Sequence, residues 1–164
     1  MKPQCLCLVN MGPLGLNLVR AYPDILPEEE IRKISIKSMP LGAKEGDFTT
    51  NTVDNSVISG YIFSIPSETE RDNIGSLVAV FNSMDYKPKV INQIFAFTIT
   101  ELKKHNLVST DSISQILPSL YEGIVKGELK IKVSSVVTLE MSFGEDNTDN
   151  KKDKFQSFGD DIWK

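Results

Sequence analysis

Apolar positions along this chain recur with two different periods, and the order of those periods outlines a fold. Residues 4–10 form a short apolar run that ends at Met11-Gly12-Pro13, a turn signal, and residues 14–22 read as a second strand. Together they predict a hairpin with a loose loop. Residues 23–42, PDILPEEEIRKISIKSMPLG, carry mixed signals. Pro27 suits a first helical position and Glu28, Glu29 and Glu30 suit the positive end of a helix dipole, whereas Ile34-Ser35-Ile36 is β-branched and nearly alternating. A helix that ends before Pro40 and Gly42 is the expectation.

Residues 47–55 are polar and Thr-rich, a candidate edge strand, and residues 56–66 (SVISGYIFSIP) are a stronger one. After the charged loop SETERDN, residues 76–81 make a short buried strand, followed by a turn around Asp85 and Pro88. The clearest helix spans residues 87–106, with Ile91, Ile94, Phe95, Thr98 and Leu102 on one face and Val90, Phe97 and Ile99 widening the band. A second helical pattern runs from Asp111 through Ile113, Ile116, Leu117, Leu120, Tyr121 and Ile124, and Pro118 within it predicts a kink or two short helices. From 129 to 143 the chain alternates: Leu129, Ile131, Val133, Val137, Leu139, Met141 and Phe143 share one face. This predicts a long strand or a hairpin with one covered face and a bend at Ser134-Ser135.

The order β-β-α-β-β-β-α-α-β predicts an α+β domain over residues 1–143. Its antiparallel sheet has five to six strands, with one helix on one face, two on the other, and an extra C-terminal strand. Residues 144–164 differ in composition: six acids and four lysines among few apolar groups, closing on Phe155, Phe158, Ile162 and Trp163. The stretch up to Lys154 is not expected to fold alone. The aromatic end has three readings: a frayed terminus, a segment that docks on its own domain, or a linear motif for another protein.

With 164 residues, 40% hydrophobic and 24% charged, the chain has the composition of an ordinary soluble domain. A formal charge of -4 and a pI near 5.1 argue against a nucleic-acid binder that relies on a basic field. The apolar stretches are strand-sized, the N-terminal run is too short for a secretory core, and Lys2 takes the place of the glycine that myristoylation needs. A cytoplasmic protein is expected.

Residues able to run a reaction are scarce. Cys5 and Cys7, the only cysteines, would share one face of a strand and cannot complete a four-ligand zinc site; they read as small buried hydrophobes, with redox or metal roles as the alternative. His105, the single histidine, sits beside Lys103 and Lys104 near a helix end, where a solvated His is expected. The glycine-containing stretches MGPLGLN and PLGAKEGD lack phosphate-loop spacing, and Asp160-Asp161 lacks that of a calcium loop. No catalytic, cofactor or metal residue is assigned, and a non-enzyme is expected.

The hairpin QCLCLVNMGPLGLNLVRAY, the helix PEEEIRKISIKSM, the strands GYIFSIP and SLVAVF and the helix KVINQIFAFTITELKKH, in that order, resemble the longin domain over residues 4–126. Stand-alone longin-like proteins of archaea are similar in this respect. Pro118 and the strand after the last helix depart from the family pattern. The resemblance implies a non-catalytic protein of membrane traffic. Longin and roadblock domains pair with one another, serve as platforms for small GTPases, or bind peptides across the first helix and the adjacent strand. Carried onto this chain, a partner would lie against Ile31, Ile34, Met39, Phe48 and Thr50, and the tail anchor would be Phe155, Phe158, Ile162 and Trp163. Peptide binding controlled by the chain's own tail, and a small-molecule sensor on an α/β sandwich, are the competing expectations.

Overall fold

Strands whose two faces are both apolar need cover on both sides, and this chain supplies it unequally. The computed structural model describes residues 2–12, 15–40, 42–66, 73–82 and 87–143. The tail anchor residues, nearly all of the SETERDN loop and the turn around Asp85 lie outside the described residues. The elements are β1 (Cys5–Gly12), β2 (Gly15–Tyr22), α1 (Glu28–Ser38), β3 (Phe48–Val53), β4 (Ser56–Ile65), β5 (Asn73–Phe81), α2 (Pro88–Lys104), α3 (Thr110–Lys126), β6 (Glu128–Lys132) and β7 (Thr138–Ser142). The first five strands form one antiparallel sheet in the order β2-β1-β5-β4-β3. The fold is thus α+β, with a five-stranded antiparallel sheet flanked by helices.

Side-chain alternation sorts the residues of β1 cleanly. Leu6 and Leu8 join Phe63, Leu77 and Ala79 beneath α2 and α3, while Cys5, Cys7 and Val9 join Ile58, Val78 and Val80 beneath α1. The expected face of α2 is the buried one: Ile91, Ile94, Phe95, Thr98 and Leu102 are all inside. Thr98 costs little there, because its Oγ1 donates to the Ile94 carbonyl at 2.8 Å.

The C-terminal pattern takes the hairpin form, and the main sheet keeps five strands. Residues 128–142 fold back as a two-stranded hairpin that stands apart from the five-stranded sheet, with the bend at Ser134–Val136. Leu129, Ile131, Val137, Leu139 and Phe143 point from it into the α2–α3 core. Gly123 lets α3 lie close to this hairpin, since a Cβ there would stand 2.7 Å from Leu129 Cδ2 and 3.0 Å from the Glu128 carbonyl oxygen. Gly123→Ala gains roughly 1 kcal/mol of helix propensity but forces overpacking that costs roughly 1–3 kcal/mol. Net destabilisation is expected in a denaturant titration, with faster amide exchange in β6 and β7; a stabilised variant would refute the close fit.

Pro118 neither kinks α3 sharply enough to end it nor divides it: one helix runs from Thr110 to Lys126. The reason lies on β2. Proline has no N–H to give the carbonyl four residues back, which is that of Ser114. Arg20 Nη1 donates to that carbonyl instead, at 2.7 Å. A β-bulge aims the arginine: Leu8 pairs with Arg20 and Val9 with Leu18, which leaves Val19 unpaired. Tyr22 completes the attachment, lying under the Arg20 guanidinium at 5.9 Å and edge-on to Tyr121 at 5.6 Å.

Candidate functional site

The mixed signal in residues 28–38 resolves once the buried positions are read. Ile31 is half-buried, and Ile34, Ser35 and Ser38 are buried, so the inward face follows i, i+3, i+4, i+7. Ile36, which made the stretch look like a strand, points outward and is 58% exposed. The two serines satisfy themselves within the helix: Ser35 Oγ donates to the Ile31 carbonyl and Ser38 Oγ to the Ser35 carbonyl, both at 2.8 Å. Small side chains on this face let the helix settle low on the sheet. Ser76 Oγ donates to the Ser38 carbonyl at 3.4 Å, and a Cβ on Gly60 would stand 3.3 Å from that same oxygen.

The five residues expected to meet a partner are split between the two faces of the sheet. Ile34 is buried in the α1-side core with Ile31 half-buried on the same helix face, and Met39, at the C-cap of α1, is buried. Phe48 packs against the opposite core, and Thr50, two residues on, shares its side and approaches Ser59 at 3.5 Å. The β3 residues that do meet α1 are the alternate ones. Asn51 Nδ2 donates to the Lys37 carbonyl at 3.1 Å, Val53 joins the α1-side core, and Asp54 in the following turn pairs with Lys33 at 3.5 Å. These contacts bridge the gap between α1 and β3 where a peptide was expected.

The other flank of α1 is more open. Leu16 and Leu18 on β2 are half-buried on the α1 side, and Met11, paired with Leu16 across the hairpin, is 41% exposed. Sequence reasoning treated these residues as ordinary strand and turn positions. The available signal was the Leu16-x-Leu18 alternation on a strand that ends up at a sheet edge.

Beneath α1 lie the two cysteines, both free and fully buried, with their Sγ atoms 3.9 Å apart. The Cys7 thiol is pushed well up from its ordinary value by the contact with Cys5 and by burial. His105 sits exposed at the C-cap of α2. Among the described residues no group of three or more His, Cys, Asp or Glu is placed to hold a metal ion. No helix among them is long and apolar enough to cross a membrane.

Among the described residues, two concavities bear on small-molecule binding. One, of about 560 Å³, runs along the consecutive residues Leu18 to Asp24 and is an open trough beside β2. The other, of about 310 Å³, lies between α3 and β6 and is lined by Glu122, Lys126, Glu128 and Lys130 with Pro118, Ser119 and Gly123. Neither surrounds a ligand with apolar walls and a few convergent polar groups, the usual make-up of a small-molecule site.

On the α2 side, Lys103 Nζ donates to Glu45 Oε1 at 2.6 Å and Ser64 Oγ donates to its Oε2 at 3.1 Å. The lysine contact first, and the serine after burial's opposing effect, hold the Glu45 carboxyl below its ordinary 4.5. A depressed carboxylate stabilises the fold above its unfolded value and loses that contribution as pH falls through the folded one. Both partners are about half exposed, so the effect is small. Glu45→Gln is expected to cost roughly 0.2–1 kcal/mol at neutral pH, and thermal melts should show the difference from the parent fading as pH falls below the ordinary carboxyl value of 4.5.

Compared with known proteins, the chain matches no protein-family model and no curated protein.

Proposed function

We propose that this chain is a non-catalytic protein-interaction module of longin type that presents its α1 face to a protein partner, a small GTPase or another longin or roadblock protein, as a scaffold or regulator in membrane traffic. The unequal cover of the two sheet faces supports the reading. Among the described residues, 23 buried apolar side chains form the core on the α2–α3 side, against eight on the α1 side. Ile36 is exposed on α1 itself, and beside the helix stand the exposed Met11 and the half-buried Leu16 and Leu18. Aliphatic groups at the rim of a thinly covered sheet suit contact with another folded surface better than chemistry.

Calorimetry of the full chain against small GTPases in both nucleotide states, and against longin and roadblock proteins, tests this. Saturable binding is expected. Met11→Glu and Ile36→Glu should each weaken it tenfold or more, while shifting folding stability by no more than roughly 0.5 kcal/mol. Absence of binding to every such protein, or binding indifferent to both substitutions, would overturn the proposal.

A further inference from the structure

We propose that Cys5 and Cys7 form a redox-sensitive thiol pair whose oxidation to a disulfide loosens α1. The inference stands on three observations and does not depend on the interaction reading. First, the sulfurs already touch: they lie side by side on the α1 face of β1 at 3.9 Å, with no side chain between them. Second, their cover is thin. Of α1's own residues only Ile34, Ser35 and Ser38 are buried, whereas α2 and α3 each bury six. An element held by few buried apolar contacts opens locally far more often than the whole domain unfolds, and such opening admits an oxidant. Third, the edge strand beside the pair has slack: β2 carries an unpaired residue, Val19, where its register with β1 shifts between Leu8 and Val9.

Geometry decides what kind of bond would form. Same-face neighbours along a strand are roughly 6.4–6.8 Å apart at Cα, the far end of the roughly 4.4–6.8 Å that disulfides span. Closing the bond must shorten β1 between β2 and β5, directly under the helix. A bond of that kind is strained, so it is easily reduced and suits a reversible role better than a permanent staple. The step balances with a hydroperoxide as oxidant. One thiolate sulfur attacks the peroxide, its O–O bond breaks, and a sulfenic acid forms with release of water. The neighbouring sulfur then attacks the sulfenic sulfur, the S–S bond forms, and a second water leaves. Two thiols and one hydrogen peroxide thus become one disulfide and two waters.

The test treats the native full chain with hydrogen peroxide, and separately with diamide as an oxidant that spares methionine, then measures intact mass, thiol alkylation and amide exchange. Loss of the mass of two hydrogens and of both alkylatable thiols is expected. Exchange across residues 28–38 should rise by about an order of magnitude and return to its starting rate after dithiothreitol. Cys7→Ala, and Cys5→Ala as a second variant, should show no such change in α1 under the same oxidants. Thiols that stay alkylatable after native treatment, oxidation to sulfinic acid without a disulfide, or a disulfide that leaves α1 exchange unchanged would each overturn the proposal.

Discussion

Ile34→Ala should free α1 from the sheet while leaving the rest of the fold standing. Ile34 is the one large apolar side chain of this helix that is fully covered, and it roofs Cys5, Cys7, Val9, Ile58, Val78 and Val80. Truncating a buried isoleucine costs roughly 2–5 kcal/mol, most where the surroundings cannot close the gap. Here the loss falls on an element with little else to hold it, so it should appear as local opening. Amide exchange is the deciding measurement: protection should collapse across residues 28–38 and persist in β4, β5 and α2. Phe95→Ala is the matched control. It removes an aromatic ring from the larger core, should cost roughly 3–5 kcal/mol, and should lower protection everywhere. A uniform loss in Ile34→Ala would mean that α1 is as firmly integrated as α2.

Removing the Arg20 guanidinium should destabilise the protein by roughly 1.5–3 kcal/mol, the worth of a hydrogen bond to a charged group at a carbonyl that has lost its helical donor. Arg20→Met keeps the aliphatic stem and so isolates the bond from packing. The informative comparison is with Pro118→Ala, which restores an N–H that the Ser114 carbonyl can accept within the helix. In that background Arg20→Met should cost about 1 kcal/mol less, a coupling readable in a double-mutant cycle of denaturant midpoints. Equal losses in the two backgrounds would show that Arg20 acts through Tyr22 rather than as the substitute donor.

That pair also shows where local sequence reading stops. Pro118 announces a break, and within its own helix nothing contradicts the announcement; the repair comes from Arg20, 94 residues from the Ser114 carbonyl that it caps. By contrast, α2 and the alternating residues 129–143 were legible because periodicity alone specifies which side chains are covered. What periodicity does not specify is the neighbour, so the last strands could be read as amphipathic but not placed against α3. In α1 the difficulty was polarity. Ser35 and Ser38 occupy buried positions by bonding to their own helix, so hydrophobicity pointed at Ile36 instead. Within the candidate site, strand parity separates the residues: Phe48 and Thr50 lie on the α2–α3 side, whereas Asn51 and Val53, one residue out of step, face α1, because one residue on a strand is the opposite side of the sheet.

The ladder between β1 and β5 has a kinetic consequence. Each of the other sheet pairings joins strands consecutive in the chain, whereas this one brings Cys5 to Val80, 80 − 5 = 75 positions away. Closing so long a loop costs roughly 2 kcal/mol more entropy than closing one of ten residues. Contact order therefore places the docking of the N-terminal hairpin onto the β3-β4-β5 meander late in folding. The rate at which the native state is reached should follow that zipping event, and substitutions along the seam should slow refolding less than they hasten unfolding.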